Sequence, residues 1–95
     1  MNEVLTLIKR TPGTNIIEKR EVFCKIASIG QAEFYQSYAM DIHPEAKFVL
    51  ADFWDYNGET LCDHDGQRYR ILRTYRTGKT LELVAEKASA EEAAL

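Results

Sequence analysis

Apolar and polar residues alternate along most of the chain, and this alternation predicts a series of short β-strands. Residues 3–9 are apolar and β-branched, and the turn residues 11–15, which include Pro12 and Gly13, close this first strand. The second predicted strand, residues 16–29, has an apolar and a mostly polar face: Val22, Cys24 and Ile26 on one side, and Glu21, Phe23 and Lys25 on the other.

Four further strands follow a long connection. Residues 46–54 and residues 60–63 flank Asn57-Gly58, a pair typical of a type I′ hairpin turn, which needs two positive φ angles. Asp65-Gly66 repeats this signature before the strand over residues 68–76, in which strict alternation places Arg70 and Arg73 on opposite faces. A last strand covers residues 80–84. We therefore expect a small all-β domain of about six strands, an antiparallel β-barrel or a sandwich, and closure into a barrel would hide strand edges.

The connection between the second and third strands, residues 28–45, has helical periodicity instead. Ser28 and Gln31 have the spacing of a capping box, and Pro44 disfavours helical geometry at the residue before it. The sequence thus predicts a short helix within residues 28–42. Its apolar face is formed by Phe34, Tyr35, Tyr38, Ala39 and Ile42.

Length and composition predict one globular domain. The chain has 95 residues, of which 45% are hydrophobic and 28% charged. We expect a single barrel domain over residues 1–87 and a flexible tail over residues 88–95, because eight residues are too few to hold a helix alone.

The charge balance is mildly acidic, with a net charge of −3 and a pI near 5.3. A general nucleic-acid binder normally carries a basic surplus, so this class is disfavoured. The apolar run at residues 4–8 is followed by Lys9-Arg10 and is too short for a signal peptide, and no run approaches the roughly 20 apolar residues of a membrane span. We expect the chain in the cytosol.

Two groups of residues suggest site chemistry. Cys24, His43, Cys62 and His64 are all zinc-ligand types, but only Cys62-x-His64 has close spacing, which favours apolar strand cysteines and loop histidines over a metal site. Asp63-His64-Asp65-Gly66 is better explained as a hairpin turn than as an acid–base pair, because no nucleophile or second partner is marked.

Basic and acidic residues form two opposed runs. Residues 68–76 interleave arginines with tyrosines, as in a strand that stacks single-stranded nucleic acid, and residues 52–65 contain five acids with no Lys or Arg. Such charges pair within one subunit or form the two unlike edges of a head-to-tail ring contact. The candidate inter-subunit residues are Asp52, Asp55, Glu59, Arg68, Arg70 and Arg76.

The order of these features resembles the head-closure proteins of phages, in the head–tail joining (head–tail adaptor) family. The resemblance runs from about Glu3 to Glu86 through "LIKRT", "KREVFCKIASIGQAEFYQSYAMDIHPEAKFVL", "DYNGE", "DGQRYRILRTYR" and "LELVAEK". Its most specific parts are residues 28–36, Pro44-Glu45 and the Gly66-x-Arg68-Tyr69-x-Ile71-x-Arg73-Thr74-Tyr75 pattern. The chain departs from the family pattern at residues 39–41, where a small or glycine-containing turn is expected.

The resemblance implies a small antiparallel β-barrel with a long connection between its second and third strands, and a structural protein without enzymatic activity or cofactor. Family members assemble as a ring, usually of twelve subunits, beneath the portal and adaptor of a filled capsid, where DNA passes and the tail attaches. In isolation such a chain is expected to be monomeric or ring-forming. Carried over by position, the residues of the connection expected to face the channel or a neighbouring subunit are Gln31, Glu33, Tyr35, Gln36, Tyr38, Met40 and Asp41. The alternative is a small β-barrel that binds single-stranded nucleic acid or another protein.

Overall fold

The computed structural model describes residues 3–11, 13–14, 16–30 and 44–95. Its elements are short strands, one 3₁₀ helix and one short α-helix. In chain order they are β1 (Glu3–Arg10), β2 (Ile17–Ala27), β3 (Ala46–Leu50), a 3₁₀ helix (Phe53–Asp55), β4 (Leu61–His64), β5 (Gln67–Thr77), β6 (Thr80–Lys87) and α1 (Ala90–Ala93).

The six strands form a closed barrel in the order β1-β2-β3-β6-β5-β4, and all neighbours are antiparallel. This confirms the predicted small all-β barrel. In the part of the chain that the structure describes, no helix is long and apolar enough to cross a membrane.

Inward-facing apolar side chains of all six strands fill the barrel. Val22 and Cys24 lie inside, as the alternation of β2 predicts, whereas Ile26 on the same face is 49% exposed. The core consists of Leu5, Leu7, Val22, Cys24, Phe48, Leu50, Cys62, Leu81, Leu83 and Ala85. The barrel interior is thus a packed core and not a pore through the subunit.

The prediction that β3 continues to residue 54 and forms a hairpin through Asn57-Gly58 is wrong. β3 ends at Leu50 and pairs with β2 and β6, and β4 pairs with β1 and β5. The chain turns because the Asp52 carboxylate accepts a hydrogen bond from Trp54 N at 3.0 Å and so caps the 3₁₀ helix. The hairpin turn predicted at Asp65-Gly66 is confirmed: both residues have positive φ, 51° and 80°, and they join β4 to β5.

A β-bulge at Leu72 changes which side chains of β5 face outward. Ile71 lies opposite Ala85, but Arg73 lies opposite Val84, so the register shifts between them. Arg70 and Arg73 therefore face the same side of the sheet, and the prediction that they face opposite sides is wrong. One extra residue in the strand reverses the alternation beyond it.

Residues 88–95, for which we expected a flexible tail, contain the short helix α1. Ser89 and Glu92 form a reciprocal capping box, with Ser89 Oγ accepting from Glu92 N at 3.2 Å and Glu92 Oε1 accepting from Ser89 N at 3.1 Å. Arg68 on β5 contacts the other end of the helix. Local propensity alone does not hold so short a helix, and here tertiary contacts supply the rest.

Candidate functional site

The connection residues expected to face the channel or a neighbour all lie outside the described residues. Their role therefore stays a prediction. They are Gln31, Glu33, Tyr35, Gln36, Tyr38, Met40 and Asp41.

The segment between β3 and β4, residues 51–60, packs against one end of the barrel core. Glu59 makes most of the hydrogen bonds described for this segment and is only 3% exposed. Its carboxylate accepts hydrogen bonds from Arg20 Nη2 at 3.1 and 3.3 Å and from Asn57 N at 2.7 Å. Arg20 also donates to the Asp55 carbonyl, and the Tyr56 hydroxyl donates to the Glu59 carbonyl at 2.7 Å. Burial, and secondarily the Glu59 charge, raises the pKa of Tyr56.

Arg68 connects β4, β5 and α1. Its Nε and Nη2 donate to the two carboxylate oxygens of Asp63 at 2.7 and 3.0 Å, a bidentate pair. Its Nη1 donates to the main-chain oxygens of Glu92 and Leu95 at 3.1 and 2.8 Å. The hydrogen bond to Asp63 raises the pKa of Arg68, and its side chain is only 10% exposed. This guanidinium is therefore engaged within the subunit.

The two other candidate arginines also have partners in the same chain. Arg70 forms an ion pair with Glu86, its cross-strand neighbour on β6, and the hydrogen bond raises the pKa of Arg70. Arg76 donates to the Gly78 carbonyl at 3.0 Å, and its guanidinium lies 3.5 Å from the centroid of Phe53.

Pairing of opposite charges on neighbouring strands within one subunit is thus confirmed at Asp63 and Arg68. The remaining pairs join the runs to residues outside them, namely Glu59 to Arg20 and Arg70 to Glu86. A role of the six candidate residues between subunits stays a prediction. Side chains that already pair within the chain are less available for ion pairs with a neighbouring subunit.

The cysteines are core residues. Cys24 and Cys62 are buried and carry free thiols, and burial raises their pKa values to about 11 and about 12. Their interpretation as small apolar strand residues is confirmed. His64, expected in a loop, instead ends β4 and lies 5.4 Å from the ring of Phe48, and His43 lies outside the described residues. No group of three metal-ligating side chains occurs among residues 3–11, 13–14, 16–30 and 44–95.

The tyrosines of β5 do not form one stacking face. Tyr69 points inward and packs against Phe48, with 5.5 Å between ring centroids. Tyr75 lies beyond the bulge and is 47% exposed, with the Arg73 guanidinium 5.2 Å from its ring. The bulge therefore separates the two rings that strict alternation places together.

A surface feature that the strand pattern did not single out lies where β2 and β3 diverge. Their pairing stops at Cys24 and Leu50, because β3 ends there while β2 continues towards Ile17. The gap forms an open groove of about 180 Å³ lined by Phe23, Cys24, Lys25, Val49, Ala51 and Thr80. We call it the β2–β3 groove.

Large apolar side chains are exposed beside this groove. Phe23 is 65% exposed and lies opposite Val4, which is 47% exposed, on the outer face of the β1–β2 pair. Trp54, three residues beyond Ala51, is 76% exposed. The signal for Phe23 is present in the sequence, as a large aromatic residue on the otherwise charged face of β2. The signal for Trp54 is hidden, because the residues before it extend the pattern of β3.

No protein-family model, no curated protein and no solved structure matches the chain.

Proposed function

We propose that the chain is a structural neck protein of a phage or prophage, which forms a ring below the portal or adaptor. There it extends or closes the DNA channel after packaging and gives the tail a surface for attachment. It works without catalysis or cofactor, in the virion and, before assembly, in the host cytoplasm.

The observation that carries this proposal is the closed barrel with its long insertion. A small six-strand barrel with residues 28–45 between β2 and β3 is the architecture that the family resemblance implies. A packed barrel core leaves no route for DNA through one subunit, so a channel requires several copies around an axis. The net charge of −3 suits a channel that DNA passes without being held.

The first experiment is the protein composition of purified particles. We expect mass spectrometry of virions from the host strain to detect this chain at ring stoichiometry, on the order of ten copies per particle. Its absence from intact, tailed particles would contradict the proposal.

The second experiment tests the connection. We expect the triple substitution Gln31→Ala, Gln36→Ala and Asp41→Ala to leave the isolated barrel folded, while particles with this variant accumulate as separate heads and tails. Glu18→Ala, a change at an exposed position of β2, serves as the matched control and should support normal joining. Loss of the folded barrel in the triple variant would show that these positions belong to the core.

The nucleic-acid alternative receives less support from the geometry. Arg68 and Arg70 each bind a carboxylate of the same chain, and Tyr69 is turned into the core. A stacking strand needs free cations and exposed rings on one face.

A further inference from the structure

Trp54 presents an exposed indole on a capped 3₁₀ helix. The 3₁₀ helix that carries it is capped by Asp52 and fixed to the β5–β6 turn by a hydrogen bond from Phe53 N to Lys79 O at 2.7 Å. The indole packs on the Phe53 ring with 4.6 Å between centroids, and Arg76 contacts the same ring. A side chain that packs against a neighbouring ring has less entropy to lose on binding, and tryptophan is among the residues most enriched at binding hot spots.

The β2–β3 groove has the size and the polarity to receive such a ring. Its volume is about 180 Å³, and an apolar cavity of about 150 Å³ is known to hold a benzene ring. Phe23, Val49 and Ala51 supply its apolar walls, and the exposed Lys25 stands among its lining residues. Trp54 does not line the groove of its own chain.

We propose that Trp54 of one copy fills the β2–β3 groove of a second copy, and that the second copy returns the contact. Ala51, which lines the groove, and Trp54 are three residues apart in the chain, so the exposed indole and the groove are neighbours on the surface. A two-fold axis then repeats the same contact, in which each copy contributes both parts.

Opposite charges stand beside the two parts, at Asp55 next to Trp54 and at Lys25 in the groove. The Asp52 carboxylate is occupied by Trp54 N, and Arg76 contacts the Phe53 ring, so Asp55, which follows Trp54 in the chain, is the acid that we assign as a partner to Lys25. In the reciprocal contact Asp55 beside one indole approaches Lys25 of the other copy, and this favours a second copy over an acidic partner of different sequence. The contact differs from a head-to-tail ring contact and does not depend on the proposed function.

Trp54 is also the only tryptophan of the chain, so its fluorescence reports on its own burial. We expect sedimentation equilibrium of the purified chain to show a monomer–dimer equilibrium, with tryptophan emission shifting to shorter wavelength as the dimer forms. A chain that stays monomeric with unshifted emission over the accessible concentration range would overturn the proposal. Assembly directly into larger rings would overturn it as well.

Two substitutions test the two parts of the contact. Trp54→Ala and Ala51→Arg, which respectively remove the projection and obstruct the groove, should each weaken dimerisation about tenfold or more. Ile16→Ala, which shortens another exposed apolar residue, should leave the dimer unchanged. Circular dichroism checks that each variant is folded, and unchanged dimerisation in either folded variant contradicts the proposal.

A charge exchange tests the pairing. Lys25→Glu alone should weaken the dimer, and the addition of Asp55→Lys should restore part of the loss. Failure of the second change to restore association would exclude the reciprocal orientation. All these measurements use the isolated chain, so their failure leaves the neck-protein proposal intact, and the absence of the chain from virions leaves the dimer intact.

Discussion

At the scale of single residues, a buried carboxylate, that of Glu59, receives its charged hydrogen-bond donor from a half-exposed arginine, Arg20. Glu59 is almost fully buried, while the Arg20 side chain is 47% exposed and reaches inward to it. A buried carboxylate that loses a charged partner keeps its desolvation cost without the compensating attraction. Arg20 is therefore a stabilising residue despite its exposure.

We expect Arg20→Ala to lower the free energy of unfolding by about 1–3 kcal/mol, because Glu59 loses its charged donor and, among the described residues, keeps the main-chain donor Asn57 N. Urea titration measures the change. Lys19→Ala, an exposed neighbour on β2, should change it by less than about 0.5 kcal/mol. Equal effects of the two substitutions would contradict the role of the Arg20–Glu59 pair.

The two core thiols make stability depend on pH at the alkaline end. Their pKa values in the folded barrel, about 11 for Cys24 and about 12 for Cys62, lie above the ordinary value of 9.0, which applies to the unfolded chain. Below pH 9 both states keep the proton and the contribution is fully present. Above pH 9 the unfolded state releases protons that the folded state retains, so stability falls as pH rises towards 11.

We therefore expect the urea midpoint to decrease between pH 9 and pH 10.5, and to decrease less in a Cys24→Ala, Cys62→Ala variant. Tyr56, with its raised pKa, accounts for part of the remaining slope. An identical slope in the variant would contradict burial of the thiols.

At the scale of elements, the sequence predicts a hairpin turn correctly where the φ preferences of the turn residues determine it. It does not predict the turn where contacts with distant residues determine the path of the chain. Asp65-Gly66 forms its hairpin because both residues accept positive φ and the flanking strands pair. Asn57-Gly58 has the same signature, but Glu59 turns inward to Arg20 and accepts the Asn57 amide, so the segment crosses the barrel end instead. The partner Arg20 lies 39 residues away in the chain, beyond the reach of a local pattern.

We expect Gly66→Ala to destabilise the barrel by about 1–2 kcal/mol, because its φ of +80° is strained for a residue with a Cβ. Gly30→Ala is the matched control, since that glycine has open space around it and no positive φ. Thermal unfolding of the two variants separates the effects. A Gly66→Ala variant as stable as the control would contradict the type I′ geometry.

Helix α1 depends on the planar guanidinium group of Arg68, whose nitrogens donate several hydrogen bonds at once, and not on its charge alone. Lysine at this position keeps the charge but cannot bind both oxygens of Asp63 and two main-chain oxygens together. We expect Arg68→Lys to cost about 1–2 kcal/mol and to speed hydrogen exchange at the amides of Ala93 and Ala94. Arg70→Lys, which alters the more exposed pair with Glu86, should leave those two amides protected.

At the scale of the whole molecule, alternation, turn residues and length predicted a small all-β domain, a barrel or a sandwich, and the family resemblance favoured the barrel that the structure shows. They did not predict the bulge at Leu72, because one inserted residue leaves composition and mean periodicity of β5 almost unchanged. Nor did they identify the β2–β3 groove, which arises from the unequal lengths of two strands that only pairing defines.

The charge distribution of the whole molecule makes a prediction about nucleic acid. With a net charge of −3 and intrachain partners for Arg68 and Arg70, we expect no saturable binding of a fluorescent single-stranded oligonucleotide at low salt. Fluorescence anisotropy measures it. Binding that weakens steeply as salt is added would instead favour the nucleic-acid alternative.

The bulge at Leu72 has a consequence for how β5 tolerates change. The half before it contributes Tyr69 and Ile71 to the core, whereas the half after it presents Tyr75 to solvent in the opposite phase. The odd-numbered positions of one continuous strand thereby supply core side chains before the bulge and an exposed tyrosine after it. Exposed positions beyond the bulge, such as Tyr75, can change without altering the core. Because Ile71 and Arg73 already lie opposite adjacent residues of β6, deletion of Leu72 would remove the bulge and leave the facing of the other β5 side chains unchanged.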